Sequence, residues 1–228
     1  MLVIVGGSKG GVGKSIVAAV TYDYFLNKKD NTILVETDTN NPDVFKAYTK
    51  KNFNGNPLEI HAENVTKDKG WENLLNIFDS ANRDGRDVVV NTAAENIDAI
   101  QRSGASLNLF DGDIVTLWVA NDKLDSIILL REYVKVVKQR VCVVKNLCFG
   151  SESDFKIYDD SKLAKELGIP SVYFPELTDS VQDAFYNKRS AIFELDDVLT
   201  LGGRLLARPH LNYAFEQIEE ALKIAVKV

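Results

Sequence analysis

The sequence predicts an α/β fold, a mostly parallel twisted sheet with helices on both faces. Short apolar runs rich in β-branched residues recur along the chain, and segments with helical periodicity separate most of them. The runs are continuously apolar rather than alternating, which is typical of parallel strands covered on both faces. With 228 residues and 45% hydrophobic content, the chain can bury the core of one such domain over residues 1–228.

Seven apolar runs are predicted as strands, and three amphipathic patterns between and after them are predicted as core-packed helices. The strands are Leu2–Val5, Thr32–Val35, Leu58–Ile60, Asp87–Val90, Ile114–Val119, Val141–Leu147 and Ser171–Phe174. The helical faces are Trp71, Leu74, Leu75 and Phe78; Leu124, Ile127, Ile128, Val134 and Val137; and Leu211, Phe215, Ile218 and Leu222. The segment Asn52–Pro57 is predicted as a turn-rich insertion.

The charge balance limits how this chain could bind nucleic acid. With 27 basic and 33 acidic residues the net charge is −6, which excludes coating of nucleic acid through overall charge, so nonspecific DNA contact would need a local patch. Candidate cations for that patch, with ordinary solvated surface as the alternative, are Lys188, Arg189, Arg204, Arg208 and His210.

The cysteines and the hydropathy predict a cytoplasmic protein. Cys142 and Cys148 lie in or beside one apolar run and form neither a disulfide framework nor a CxxC pair. No apolar stretch approaches the roughly 18 residues that span a bilayer. The C-terminal run Leu211–Val228 has glutamates on its polar face that anionic lipid would repel, so core packing is predicted there rather than membrane attachment.

The stretch GGSKGGVGKS, residues 6–15, lies between the first predicted strand and the helical run Ile16–Leu26. Strand, glycine-rich loop and helix in this order are typical of the phosphate-binding loop of P-loop NTPases. Backbone N–H groups would hold phosphate oxygens, Lys14 would reach the β- and γ-phosphates, and the Ser15 hydroxyl would ligate Mg²⁺. The predicted nucleotide-binding residues of this loop are Gly10, Gly11, Val12, Gly13, Lys14, Ser15 and Ile16.

The loop contains a second lysine, and SKGGVGKS resembles the deviant Walker A loop KGGxGK[ST] of the ParA/MinD family of ATPases. The resemblance implies that Lys9 reaches across a dimer interface to the partner's nucleotide, whereas Lys14 binds the nucleotide of its own subunit. ATP and Mg²⁺ would then bridge an ATP-dependent homodimer.

The segment after the second predicted strand is similar to another motif of that family. The family's DxDPQ segment corresponds to Glu36-Thr37-Asp38-Thr39-Asn40, which implies a place for Asp38 near Mg²⁺ and the attacking water. The catalytic candidates are thus Lys9, Lys14 and Asp38, and the metal candidates are Ser15, Asp38 and Asn91.

Asn91 departs from the family pattern, because it stands where the Walker B strand would end in an aspartate. An amide supplies no negative charge, so weaker Mg²⁺ binding and slow hydrolysis are expected unless Asp38 or Glu95 compensates.

The base site is predicted from the later strands. Asn146 lies near the end of the sixth predicted strand and resembles the asparagine that reads adenine in ParA-like proteins, and Pro175 matches the family's loop beside the base. A GTPase would carry an aspartate three residues after that asparagine, where this chain has Phe149, so adenine is favoured.

Together these features predict an ATPase switch that recruits a partner protein in plasmid or chromosome partition, plasmid stability or conjugation, with some similarity to small TraL/StbB-type proteins. One alternative is a nucleotide-binding scaffold with little or no hydrolysis, which Asn91 favours. Another is a metabolic or metal-handling enzyme of the same fold. The positions of the cysteines do not favour it, because a bridging cluster would need exposed cysteines in loops.

Overall fold

The computed structural model describes residues 1–7, 10–93 and 104–228. Its strands are β1 (Leu2–Gly7), β2 (Ile33–Glu36), β3 (Asn52–Phe53), β4 (Asn56–Pro57), β5 (Glu59–Ala62), β6 (Val88–Asn91), β7 (Ile114–Ala120), β8 (Arg140–Asn146), β9 (Ser171–Phe174) and β10 (Val226–Lys227). The seven predicted strands are confirmed to within two residues at each end.

The helices connect these strands and cover the sheet. They are α1 (Lys14–Leu26), α2 (Asp43–Tyr48), α3 (Asp68–Arg83), α4 (Leu124–Val136), α5 (Lys156–Asp159), α6 (Lys162–Leu167), α7 (Asp179–Tyr186), α8 (Leu195–Val198) and α9 (Leu201–Ile224). Residues 104–109 are also helical, and 3₁₀ turns occupy Leu147–Phe149 and Ile192–Glu194.

In the described part of the chain, eight strands form one sheet in the order β10-β8-β7-β1-β6-β2-β5, with β9 also paired to β8. Every pair in it is parallel except that of β10 with β8. The carboxyl ends of β1, β2, β6 and β8 therefore lie at one edge, where open α/β sheets bind their ligands.

The core lies on both faces of this sheet, as predicted. Along β1, Val3 and Val5 pack with α1 on one face, whereas Leu2 and Ile4 pack with α3 on the other. Because α2 and α9 also pack on α1, twelve of the thirteen α1 residues are buried. The helix that follows the glycine-rich loop is thus a central element of the core.

Two predictions about local structure need correction. The segment Asn52–Pro57 is a small β-hairpin, because Asn54 and Gly55 adopt positive φ, as a two-residue hairpin turn requires. On α4, Ile127 is buried, but Leu124 and Ile128 are 52% and 49% exposed. These two residues are four positions apart and share a face of α4 that is not covered by the sheet.

The C-terminal helix packs against the core as predicted. Ile218 and Leu222 of α9 are buried, and Leu211 and Phe215 pack partly buried against the same cluster. None of the helices in the described ranges combines the length and the apolar character that crossing a membrane requires.

A buried carboxyl group makes the stability of this core depend on pH. Asp23 of α1 is 2% exposed and accepts a 2.6 Å hydrogen bond from the Tyr48 hydroxyl. Burial raises the pKa of Asp23 to about 8, although the hydrogen bond from Tyr48 acts in the opposite direction. The folded chain therefore retains a proton between about pH 4 and pH 8 that the unfolded chain releases.

We expect the stability to fall as pH rises through this window, by at most about 1.4 kcal/mol per pH unit from this group. Asp23→Asn should flatten the pH dependence of the free energy of unfolding, measured by urea denaturation at several pH values. The exposed Asp84→Asn is the control and should retain the wild-type slope. An unchanged slope in Asp23→Asn would contradict the assignment.

Candidate functional site

The glycine-rich loop ends at a helix N-terminus that has no side-chain cap. The N-cap residue of α1 is Gly13, at a φ of 91°, and glycine has no side chain that could cap the N–H groups of the first turn. That turn also contains no acidic residue. Uncapped amides and the positive end of the helix dipole favour an anion at this position.

Asn146, at the end of β8, holds this loop in place. Its Nδ2 donates a 3.0 Å hydrogen bond to the Val12 carbonyl, and its Oδ1 accepts one of 3.1 Å from the Cys148 N–H. A Cβ on Gly13 would lie 2.1 Å from the same Nδ2. The loop and β8 therefore fit closely only because residue 13 is glycine.

A cavity of about 390 Å³ opens beside the loop. Its lining is Gly10, Gly11, Gly13, Lys14, Ser15, Ile16, Asp38, Asn41, Asp43, Asn146, Cys148, Phe149, Phe174, Pro175, Leu177, Gln182 and Tyr186. The loop contributes backbone amides and the polar side chains of Lys14 and Ser15, and the segment after β2 contributes acids and an amide, whereas the residues after β8 and β9 are mainly apolar or aromatic. Such a cavity suits a ligand with an anionic end and an aromatic end.

The structure brings most predicted site residues together along this cavity. The three glycines, Lys14, Ser15, Ile16, Asp38, Asn146 and Pro175 line it. The side chain of Val12 instead lies in the core at 1% exposure, so only its backbone faces the loop region. Lys9 and Glu95 fall outside the described residues.

Asn91 does not line the cavity and lies behind it at the end of β6. Its Nδ2 donates a 2.8 Å hydrogen bond to Glu36 Oε1 at the end of β2. The Asp38 N–H donates to the same oxygen at 2.9 Å. Burial raises the pKa of Glu36 to about 7, and both hydrogen bonds act against that rise.

The segment after β2 presents Asp38 to the cavity in a fixed turn. One carboxylate oxygen of Asp38, Oδ1, accepts hydrogen bonds from the N–H groups of Asn40 and Asn41, at 3.1 and 2.9 Å. Ser15 and Asp38 thus bring a hydroxyl and a carboxylate to one cavity, and Mg²⁺ prefers such oxygen ligands. Among the described residues no cluster of three His, Cys, Asp or Glu could hold a metal alone, so phosphate and water would complete the shell.

Sequence reasoning missed several lining residues. Asp43 lines the cavity and forms an ion pair with Arg189, with 2.7 Å between Asp43 Oδ1 and Arg189 Nη1. The backbone of Arg189 adopts a φ of 58°. Gln182 and Tyr186 of α7 also line it. No contiguous motif marks them; their only signal is that they follow the carboxyl ends of β2 and β9.

All five residues of the predicted DNA patch have acceptors of their own, including His210, whose Nδ1 donates to the Glu176 carbonyl at 2.8 Å. Lys188 pairs with Asp183 at 3.0 Å, and Arg189 pairs with Asp43 at 2.7 Å. Arg204 donates to the Asp196 carbonyl at 2.6 Å, and Arg208 pairs with the Asp196 carboxylate at 3.4 Å. These contacts favour the solvated-surface alternative.

The cysteines are placed unfavourably for a bridging metal cluster. Cys142 is buried in mid-strand, where burial raises the pKa of its thiol to about 12, and Cys148 is exposed beside the cavity. A cluster shared between subunits would need accessible thiolates, so the metal-handling alternative gains no support.

Comparison with known proteins gives one relative in sequence and several in fold. No family model matches the chain. Protein MobD of Acidithiobacillus ferrooxidans is 39% identical over 209 residues, which are 88% of this chain and 88% of MobD. A ParA family ATPase from Chlorobium tepidum TLS is 16% identical with a TM-score of 0.60, covering 93% of this chain and 96% of that one.

MinD from the MinC:MinD cell division complex of Aquifex aeolicus has a TM-score of 0.61 at 15% identity, and the match covers 100% of this chain and 97% of that one. The likeness to these two structures confirms the predicted fold.

Gly13→Ala should abolish ATP binding, because the added methyl group would meet Asn146 Nδ2 and alanine is strained at a φ of 91°. Isothermal titration calorimetry measures the loss. Gly168→Ala is the matched control, since Gly168 also has a positive φ of 60° but has nothing within 4 Å of its added Cβ. Undiminished binding by Gly13→Ala would contradict the close fit of loop and β8.

Asn146→Ala separates two roles of this side chain. If Asn146 acts mainly by holding the Val12 carbonyl, the variant should lose affinity for ATP and for GTP by a similar factor. We expect this factor to be about tenfold, the effect of losing one hydrogen bond. A selective loss of ATP binding, measured by the same titration with both nucleotides, would instead indicate base reading.

Proposed function

We propose that this chain, which belongs to the MobD family and has the fold of ParA and MinD ATPases, is an ATPase that works as an ATP-dependent dimerisation switch. The observation that carries the proposal is the uncapped N-terminus of α1, which faces a cavity also lined by Lys14, Ser15 and Asp38. Amides, a lysine, a hydroxyl and a carboxylate in one cavity are the groups that bind a nucleoside triphosphate with Mg²⁺.

Each group has a distinct task in this proposal. The loop amides and Lys14 bind the phosphates, and Lys14 offsets their charge. Mg²⁺, held by Ser15 together with phosphate and water, would supply further neutralisation of charge at the terminal phosphates. Asp38, whose Oδ1 is fixed by two backbone N–H groups, would orient the attacking water.

The other end of the cavity suits the base. Phe149, Phe174 and Pro175 provide apolar and aromatic surface, and Gln182 provides an amide that can hydrogen-bond a base edge. We propose adenine, because this chain has Phe149 where a guanine-binding aspartate would lie.

The proposal of a dimer rests on the second lysine of the glycine-rich loop. Two triphosphates that face each other across an interface repel, and a lysine from each subunit on the other's phosphates would turn the repulsion into ATP-dependent attraction. We assign this role to Lys9, which lies outside the described residues. The two nucleotide states would then recruit different partner proteins.

For the cellular process we propose plasmid or chromosome partition, plasmid stability or conjugation. A putative plasmid partition protein from Borrelia burgdorferi B31 has the same fold, with a TM-score of 0.60 at 14% identity, which supports partition. Contact with DNA would be local.

A second candidate is a nucleotide-binding scaffold with little or no hydrolysis. It is favoured by Asn91, an amide at the end of β6, where the ParA/MinD pattern that this sequence resembles has an aspartate. A phosphate-release assay with and without DNA distinguishes the two candidates.

The lysines provide the sharpest test. Lys14→Ala should abolish ATP binding, whereas Lys9→Ala should keep the ATP affinity of the monomer and lose ATP-induced dimerisation. Calorimetry measures binding, and sedimentation velocity with a non-hydrolysable ATP analogue measures assembly.

Lys162→Ala is the control, because Lys162 is 90% exposed and does not line the cavity. If the wild-type chain stays monomeric with the analogue, or if Lys9→Ala dimerises equally well, the switch is wrong. If Lys14→Ala binds ATP like the wild type, the nucleotide site itself is wrong.

A further inference from the structure

Glu36 and Asn91 form a buried pair behind the cavity. They end the adjacent parallel strands β2 and β6 and lie opposite each other in register. Asn91 is also in register with Val5 of β1, the strand that leads into the glycine-rich loop. Each side chain is 1% exposed, so the pair is packed below the residues that line the cavity.

The contacts of this pair are incomplete. Glu36 Oε1 accepts hydrogen bonds from Asn91 Nδ2 and from the Asp38 N–H. Glu36 Oε2 and Asn91 Oδ1 are buried and have no hydrogen bond of ordinary geometry in the described part of the chain, although the Phe45 N–H lies close enough to the Glu36 carboxyl to lower its pKa. Most buried acceptors in folded proteins have a donor, so two unpartnered ones on contacting side chains indicate a missing donor.

The missing group should be a hydrogen-bond donor that is favourable beside a carboxylate. A water molecule has two O–H groups, one for each acceptor, and a water polarised by Mg²⁺ donates more strongly to a carboxylate. Asp38, which is hydrogen-bonded to Glu36 through its N–H, lines the cavity proposed for Mg²⁺. Glu36 is therefore hydrogen-bonded to the backbone of a residue that lines this cavity.

On these grounds we propose that Glu36 supplies the outer-sphere carboxylate of the magnesium site, with Asn91 as its hydrogen-bond donor. The carboxyl group that residue 91 lacks is thus present on the neighbouring strand. This inference rests on the proposed nucleotide function. Glu36 is a positioning residue, because it acts through a metal-bound water and through Asp38.

The pairing changes what is expected of Asn91. Asn91→Asp alone would place a second carboxylate against the buried Glu36 and remove the 2.8 Å hydrogen bond, so the two charges would repel. The exchange Glu36→Gln with Asn91→Asp retains one amide and one carboxylate in contact. It moves the charge from β2 to β6 without changing its amount.

The test measures metal binding rather than turnover. Mg²⁺ is titrated by calorimetry into each protein saturated with the non-hydrolysable analogue AMPPNP, and AMPPNP affinity without metal is measured separately. Glu36→Gln should weaken Mg²⁺ binding by about tenfold, the usual effect of losing an outer-shell partner. It should leave the metal-free affinity for AMPPNP unchanged.

The double variant Glu36→Gln/Asn91→Asp should recover most of the Mg²⁺ affinity. The control is Glu63→Gln, because Glu63 is half-buried and also accepts an asparagine N–H, from Asn73 at 2.9 Å, but does not line the cavity. Thermal unfolding confirms that each variant is folded.

Wild-type Mg²⁺ affinity in Glu36→Gln overturns the inference, and so does a folded double variant that binds Mg²⁺ no better than Glu36→Gln. Both results leave the proposed function intact, because the wild type still binds AMPPNP. Failure of the wild type to bind AMPPNP overturns the proposed function and this inference with it.

Discussion

The hydrogen bond from Asn146 Nδ2 to the Val12 carbonyl is the contact on which the geometry of the site depends. It joins the loop between β1 and α1 to the end of β8, two strands away across β7. It ties the backbone before α1 to the part of the sheet that carries the apolar end of the cavity. Without it the loop and the apolar end of the cavity would be positioned independently, although the proposed nucleotide contacts both.

The strands were predictable because parallel strands buried on both faces must be continuously apolar. The hairpin of β3 and β4 was not, since its two-residue strands are too short to show a hydrophobic period. The exposure of Leu124 and Ile128 was also unpredictable. Periodicity shows that a helix has an apolar face, but only the packing of neighbouring elements decides how much of that face is covered.

The part of the candidate site formed by consecutive residues could be predicted from the sequence, whereas the rest could not. Loop, helix start and Ser15 follow one another in the chain, so their spacing alone predicts a phosphate site. The contact of Glu36 with Asn91 joins residues 55 positions apart, and that of Asp43 with Arg189 joins residues 146 apart. Such contacts depend on strand order and register, which local patterns do not determine.

The burial of α1 also has a consequence for dynamics. Residues 16–26 are all buried, so the amide hydrogens of this helix cannot exchange with solvent by fraying of one exposed face. Elements enclosed in this way open only in the largest unfolding events of a protein. Low-energy opening is therefore expected in the loops around the cavity rather than in the helix behind them.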